Sequence, residues 1–290
     1  MNVDEELLHR YLAFALLASG IAAAINLIVR PAPYGRYSES QGWGPLIDAK
    51  LAWFIMESPN VFVSALIWSD AGGNAPVKSK ANQALLGLFV LHYVNRSFIY
   101  PVRMTASGKP MPLSVMLMAW SFCCCNGYLQ ARYLTKFHTF PDSWLSNPIF
   151  GLGVVVFFLG FYINLDSDHI LRELRKKGTK TERESTHTMR TRRQAREEPE
   201  TERHSGNQTS TYRIPRGGLF EYISGANFFG EMLEWSGFAI AGGGSLPSVT
   251  FAAFTILNLA PRAWHHHLWY RNHFGKEYPV ERKALVPFLF

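Results

Sequence analysis

Cysteine, charge and the signatures of soluble nucleotide or metal enzymes are scarce in this chain. The only cysteines are the consecutive Cys123, Cys124 and Cys125. Neighbours on a helix point in different directions, so these thiols make no disulfide framework, and they read as small packing residues. No CxxC pair exists, no GxGxxG follows a strand, and there is no P-loop. Gly242-Gly243-Gly244 reads as a turn between helices. His265-His266-His267 lacks an HExxH companion and its rings diverge, so no metal is expected. The first apolar run is too long for a cleaved leader, and no A-x-A-like site follows it, so none is expected. Charged residues make up only 18% of 290, and many of them crowd into about 166–216.

What the chain does have is apolar length and aromatic rings. Seven runs are long enough to span a bilayer: 11–29, 47–69, 83–102, 112–133, 147–165, 219–241 and 246–264. Aromatics at 14% fit interface belts and a lipophilic site. The net charge of +7 invites a nucleic-acid reading, but the basic residues cluster beside apolar spans, which argues against it. The expected fold is all-α, an integral membrane bundle of seven transmembrane helices forming a single domain over 1–290. Ser58-Pro59 should kink the second span. Small residues in spans four to six suit close helix packing. Lys and Arg in the 103–110 loop, the 166–218 loop and the tail put the N-terminus outside and the C-terminus in the cytosol. Residues 178–211 hold one methionine and no other large apolar side chain, and are expected to be a disordered cytosolic insertion.

Polar residues recur on single faces of these apolar helices. Asn164, Asp168 and Arg175 share one stripe; Asn227, Glu231, Glu234 and Trp235 another; Arg262, His266 and Tyr270 a third; Tyr93, Arg96 and Tyr100 a fourth. Such stripes cannot face lipid cheaply, since an ionisable group at mid-bilayer costs about 2.5–3.5 kcal/mol on insertion scales. They imply an internal polar cavity. Arg175, Arg213 and Arg262, beside Asn164, Asp168, Asn227 and Glu231, suggest an anionic ligand at the cytosolic mouth, for which the guanidinium is well shaped. Taken singly, each arginine would read as an interface marker. Glu57 sits in Trp53-Phe-Ile-Met-Glu-Ser-Pro, inside a span and too short to snorkel from its centre. Held protonated there, it could donate a hydrogen bond to a carbonyl oxygen. Tyr93 could be an interface aromatic, but His92, Arg96 and Tyr100 around it favour a lined cavity.

Several stretches resemble the steroid 5α-reductase (3-oxo-5α-steroid 4-dehydrogenase) family: Leu91-His-Tyr-Val-Asn-Arg, Gly108-Lys-Pro-Met-Pro, Asn126-Gly-Tyr-Leu-Gln, Asn164-Leu-Asp-Ser-Asp-His-Ile-Leu-Arg, Tyr212-Arg-Ile-Pro-Arg-Gly-Gly-Leu-Phe-Glu-Tyr, Ala226-Asn-Phe-Phe-Gly-Glu-Met-Leu-Glu-Trp and Arg282-Lys-Ala-Leu-Val-Pro-Phe-Leu-Phe. The first 45 residues match more weakly. The resemblance implies NADPH-dependent reduction of a lipophilic 3-oxo-4-ene steroid in the endoplasmic reticulum membrane, with a lumenal N-terminus. It implies that Glu57 and Tyr93 hold the 3-oxo group. It implies cofactor contacts from Asn164, Asp168, Arg175, Tyr212, Arg213, Asn227, Glu231, Trp235, Arg262, His266 and Tyr270, with Arg96 and Tyr100 added. Family members usually join Arg-Lys-x-Gly almost directly to Tyr-Arg-Ile-Pro, whereas here a charged insertion separates Gly178 from Tyr212. Met56 stands where a close relative can carry glutamine. The alternatives are a reductase of a polyprenol-type or enoyl-thioester lipid, an isoprenylcysteine methyltransferase, similar in the C-terminal helices alone, and a seven-span receptor.

Overall fold

A segment shielded from water must satisfy its own backbone groups, and the apolar runs of this chain do so as helices. The computed structural model describes residues 4–37, 42–72, 75–104, 109–194 and 212–290. Among them the α-helices are α1 Glu5–Val29, α2 Ala49–Glu57, α3 Pro59–Asp70, α4 Ala75–Lys78, α5 Lys80–Val94, α6 Tyr100–Arg103, α7 Leu113–Arg132, α8 Pro148–Gln194, α9 Ala226–Ala241 and α10 Leu246–Phe274. Two short antiparallel strands, β1 Leu46–Ile47 and β2 Met111–Pro112, tie the entries to α2 and α7 together. Asp48 starts α2 by accepting the Lys50 and Leu51 amides, each at 3.0 Å.

Three helical stretches are long and apolar enough to cross a membrane: Glu5–Val29, Ala49–Asp70 and Pro148–Lys176. These correspond to the first, second and fifth expected spans. The runs at 83–102, 112–133, 219–241 and 246–264 are helical over much of their length but fall below that standard. Polar content turned inward contributes, since His92 and Asn95 in the first of these runs, Asn126 and Gln130 on α7, Glu234 on α9, and Thr250 and Thr255 on α10 are all buried, and α9 is only 16 residues long. The 219–241 run also starts late, because Gly218–Glu221 is a 3₁₀ turn and α9 begins only at Ala226.

Helices α8 and α9 lie with their backbones in contact. A Cβ on Gly153 would sit 2.2 Å from the Ala241 nitrogen, one on Gly160 2.2 Å from the Glu234 nitrogen, and one on Gly237 2.3 Å from the Phe157 nitrogen. Only hydrogen fits at these points, the small-residue seam familiar from helix pairs in membranes. The seam sets Asn164 of α8 against Asn227 of α9, with Asn164 Nδ2 donating to the Asn227 carbonyl at 3.0 Å.

Three departures from regular helix position the site. Ser58-Pro59 separates α2 from α3, as the proline requires, and leaves Glu57 at the α2 C-terminus. Asn95–Ile99 is a π turn, closed by the Tyr100 amide on the Asn95 carbonyl, and it carries Arg96. Third, α8 does not stop where the charged insertion begins. Its backbone is helical to Gln194, so 178–194 departs from the expected disorder, while 195–211 lies outside the described residues. Lys, Arg and Glu are good helix formers and no proline occurs before Pro199, so a helix already nucleated upstream propagates.

Candidate active site

One end of the bundle opens into a cavity of about 480 Å³. It receives side chains from the stripes on α5–α6, α8, α9 and α10, and it brings together ten of the thirteen cofactor candidates: Arg96, Tyr100, Asp168, Arg175, Tyr212, Arg213, Asn227, Arg262, His266 and Tyr270. Its lining holds seven cations (Arg36, Arg96, Lys109, Arg172, Arg175, Arg213, Arg262) and one carboxylate, Asp168. Such a wall is built for a ligand with several negative charges.

The cations are held in place by rings and polar partners. Arg96 Nη1 donates to Asp168 Oδ2 at 3.1 Å, and Nη2 lies 3.6 Å from Glu231 Oε2. Its guanidinium lies over the rings of Trp53 and Tyr100, at 4.8 and 4.7 Å. Arg262 Nη1 donates to Asn258 Oδ1 at 3.1 Å, and its head lies between Tyr34 and Phe228. Glu231 and Asn164 thus stand behind the wall, steadying Arg96 and the α8–α9 contact.

The segment before α2 supplies a cover that sequence reasoning misses. Arg36 Nη2 donates to Tyr270 Oη at 3.0 Å, with its guanidinium 4.4 Å from the Trp269 ring. Tyr37 donates to the His265 carbonyl at 3.1 Å; burial pushes its phenol up to about 12, so it stays a neutral donor. Tyr34-Gly-Arg-Tyr carries a usable signal, an arginine among aromatics just past the first span. Hydropathy alone reads it as an interface anchor.

Glu57 and Tyr93 do not line this cavity. They lie one helical turn deeper, Glu57 four residues beyond the cavity-lining Trp53 on α2 and Tyr93 three before Arg96. Helix α7 joins them. Cys123 Sγ donates to Glu57 Oε2 at 3.7 Å, and Asn126, one turn on, donates through Nδ2 to Tyr93 Oη at 3.4 Å. Trp235, a cofactor candidate on α9, is placed here instead. It is 1% exposed, stacked on Tyr93 at 5.7 Å and packed on Phe251 at 4.4 Å. Behind it His92 Nδ1 sits 2.7 Å from Glu234 Oε1, an enclosed pair that fixes α5 against α9. Among the described residues no group of three or more His, Cys, Asp or Glu side chains could hold a metal ion.

A charged cavity feeding a deeper carboxyl–phenol pair can be compared with known proteins. The family model for 3-oxo-5-alpha-steroid 4-dehydrogenase matches residues 109–189 and 184–290. The chain is 39% identical to 3-oxo-5-alpha-steroid 4-dehydrogenase 1 of Bos taurus over 290 residues, all of both chains. It is 38% identical to the protein of that name from Homo sapiens over 290 residues, 100% of this chain and 98% of the other. It is 40% identical to 3-oxo-5-alpha-steroid 4-dehydrogenase 2 of Mus musculus over 264 residues, 90% and 89% of the two. The chain belongs to the 3-oxo-5-alpha-steroid 4-dehydrogenase family. Its members are oxidoreductases, and membership sets aside the receptor alternative.

Proposed function

We propose that this 3-oxo-5-alpha-steroid 4-dehydrogenase family member reduces the C4–C5 double bond of a 3-oxo-4-ene steroid with NADPH, in the endoplasmic reticulum membrane. The observation that carries the reading is the placement of the seven-cation cavity one helical turn from Glu57 and Tyr93. The donor set fits a dinucleotide with phosphates. Arg36, Arg175, Arg213 and Arg262 match its charge, and Tyr34, Tyr212 and Phe228 offer rings against its flat groups. When bound, NADPH supplies a hydride. The residues of the chain do the rest. Tyr93 and a protonated Glu57 donate hydrogen bonds to the 3-oxygen, where negative charge grows as C5 is reduced and before C4 takes up a proton. Preorganised donors in a site closed to water are worth about 2.7–4 kcal/mol each, or 10²–10³ in rate. Trp235 and Phe251, with Phe122 packed on Phe251, give Tyr93 apolar surroundings that suit a flat, oily substrate.

The seven-span arrangement belongs to the same proposal. The four buried-polar helices span beside the three apolar ones, with the cavity at the cytosolic face and the α1 N-terminus at the lumenal one. Glu5 at that N-terminus pairs with Arg132 and Lys136 at the far end of α7, the end opposite β2 and the cavity-lining Met111. The test is NADPH oxidation by membranes containing the protein, supplied in parallel with testosterone, progesterone and a polyprenal. Consumption with the steroids alone is the expected result. Consumption with the polyprenal alone would transfer the reading to a lipid reductase.

A further inference from the structure

The uncharged polar residues of α7 form a hydrogen-bond chain whose sense can be read from one end. A backbone carbonyl only accepts, so the Pro247 carbonyl, 2.8 Å from the Gln130 side chain, meets its amide nitrogen. The same Nε2 donates to Asn126 Oδ1 at 3.1 Å. That commits the Asn126 oxygen and turns its Nδ2 the other way, toward Tyr93 Oη and Asn60 Oδ1, each at 3.4 Å. Tyr93 Oη receives a hydrogen bond there, so its own proton is left free for another acceptor. Asn60 Oδ1 is likewise committed, and Asn60 Nδ2 is buried without a partner. Gly127 makes the approach possible, since a Cβ there would lie 3.2 Å from the Asn60 Cα and 3.3 Å from the Pro59 carbonyl oxygen. All four side chains are closed from solvent, Asn60 and Asn126 at 0%, Gln130 at 2% and Tyr93 at 4% exposed. Enclosure matters because no water can rotate in to supply the opposite sense.

We propose that Gln130 and Asn126 are positioning residues that hold the Tyr93 hydroxyl as a donor toward the substrate carbonyl. The proposal rests on the role given to Tyr93 above. Without the relay, the hydroxyl proton could turn toward an amide oxygen of α7, and the phenol would present a lone pair to the growing negative charge. Gln130 is two hydrogen bonds away from the phenol and touches no reacting atom.

The test is a double-mutant cycle on the full-length protein in detergent, read as the single-turnover rate with NADPH and a 3-oxo-4-ene steroid. Gln130→Glu keeps the shape but, protonated in this enclosed site, has one proton to give; the Pro247 carbonyl takes it, only an acceptor is left for Asn126, and the Asn126 amide reverses so that its oxygen captures the Tyr93 proton. The expected fall is about 10²-fold, comparable to losing a donor to an oxyanion. Gln130→Met removes the relay without reversing it and should cost about tenfold, while the dissociation constants of NADPH and steroid stay within about twofold for both. In a Tyr93→Phe background the same Gln130 changes should cost no more than about threefold, the remainder passing through Asn60. Full multiplicative losses in that background would reduce Gln130 to a packing residue and overturn the relay. If Tyr93→Phe alone keeps the normal rate, the role of Tyr93 falls and the relay with it. Should Gln130→Glu fail to give a monodisperse peak, Gln130→Met carries the cycle at smaller amplitude.

Discussion

The mouth of the site and its depth keep polar groups in an apolar bundle by opposite means. At the mouth, charges are numerous, line an open cavity and are clamped by rings, as with Arg96 between Trp53 and Tyr100 and Arg36 on Trp269. In the depth, Asn60, Asn126, Gln130 and Tyr93 are enclosed and bonded to one another in one direction. Charge suits a region that must attract an anionic ligand and let it go. Directed neutral dipoles suit a region that must stabilise charge appearing only during the reaction, because they need not reorganise when it does. On the proposed function binding and chemistry rest on different residues, and substitutions should separate them.

The change that erases the distinction altogether is in the seam on which both regions depend. Gly237→Val would drive a side chain into the Phe157 nitrogen and the Gly153 carbonyl, backbone atoms that cannot swing away. The expected outcome is loss of the monodisperse detergent peak in size-exclusion chromatography. Gly151→Val, on the partner helix α8 but off the seam, meets nothing within 4 Å and should leave the peak intact. Equal behaviour of the two would show that the α8–α9 contact does not hold the site together. Next in size is Glu57→Gln in the depth. An amide is a weaker donor than a carboxylic acid to an oxygen gaining charge, so single-turnover reduction should fall by about 10²-fold or more. The NADPH dissociation constant should not move. A matched fall in cofactor affinity would mean that depth and mouth are one unit.

How much of this is legible in the sequence divides along the same line. The mouth is, because a polar residue in an apolar helix must be explained, and its 3.6-residue repeat says which face it shares; eight stripe residues meet at one cavity for that reason, while Tyr212, which joins them with Arg213, is marked by the family resemblance alone. Arg36 is not, because an arginine in an aromatic loop just past a span has a sufficient local explanation as an anchor. Trp235 shares the Asn227 and Glu231 face, but its ring lies a full turn deeper and packs on Tyr93 rather than on the cavity. The π turn at Asn95–Ile99 leaves no mark in composition, so the phase of Arg96 relative to Tyr93 could only be seen in the structure. The sense of the Gln130–Asn126 chain was hidden as well. It depends on a carbonyl of Pro247, 117 residues away from Gln130.

At the mouth, Arg175→Ala and Arg36→Ala should each raise the NADPH dissociation constant by about tenfold or more, as expected for loss of a hydrogen bond to a charged group. The rate at saturating cofactor should hold. Equilibrium binding and single-turnover assays on the same preparations give both readings. A fall in saturated rate without a change in affinity would place that arginine with the chemistry and blur the division.

The smallest effect is expected from excising 179–210, and it tests where the mouth ends. Arg175 and Tyr212 both line the cavity, so the chain leaves and returns at one wall and a short join can replace what lies between. The excised residues hold a single methionine as their only large apolar side chain, and so have little to bury against the bundle. Loop length itself enters the closure entropy only logarithmically, so folding and NADPH affinity should stay within about twofold of the intact protein. A shift of about tenfold in either direction of the dissociation constant, with the detergent peak unchanged, would instead make this stretch a working part of the mouth. Its many Lys and Arg side chains would then have to be counted with the seven cations of the wall, and the anionic ligand would be held partly by residues beyond those that line the cavity.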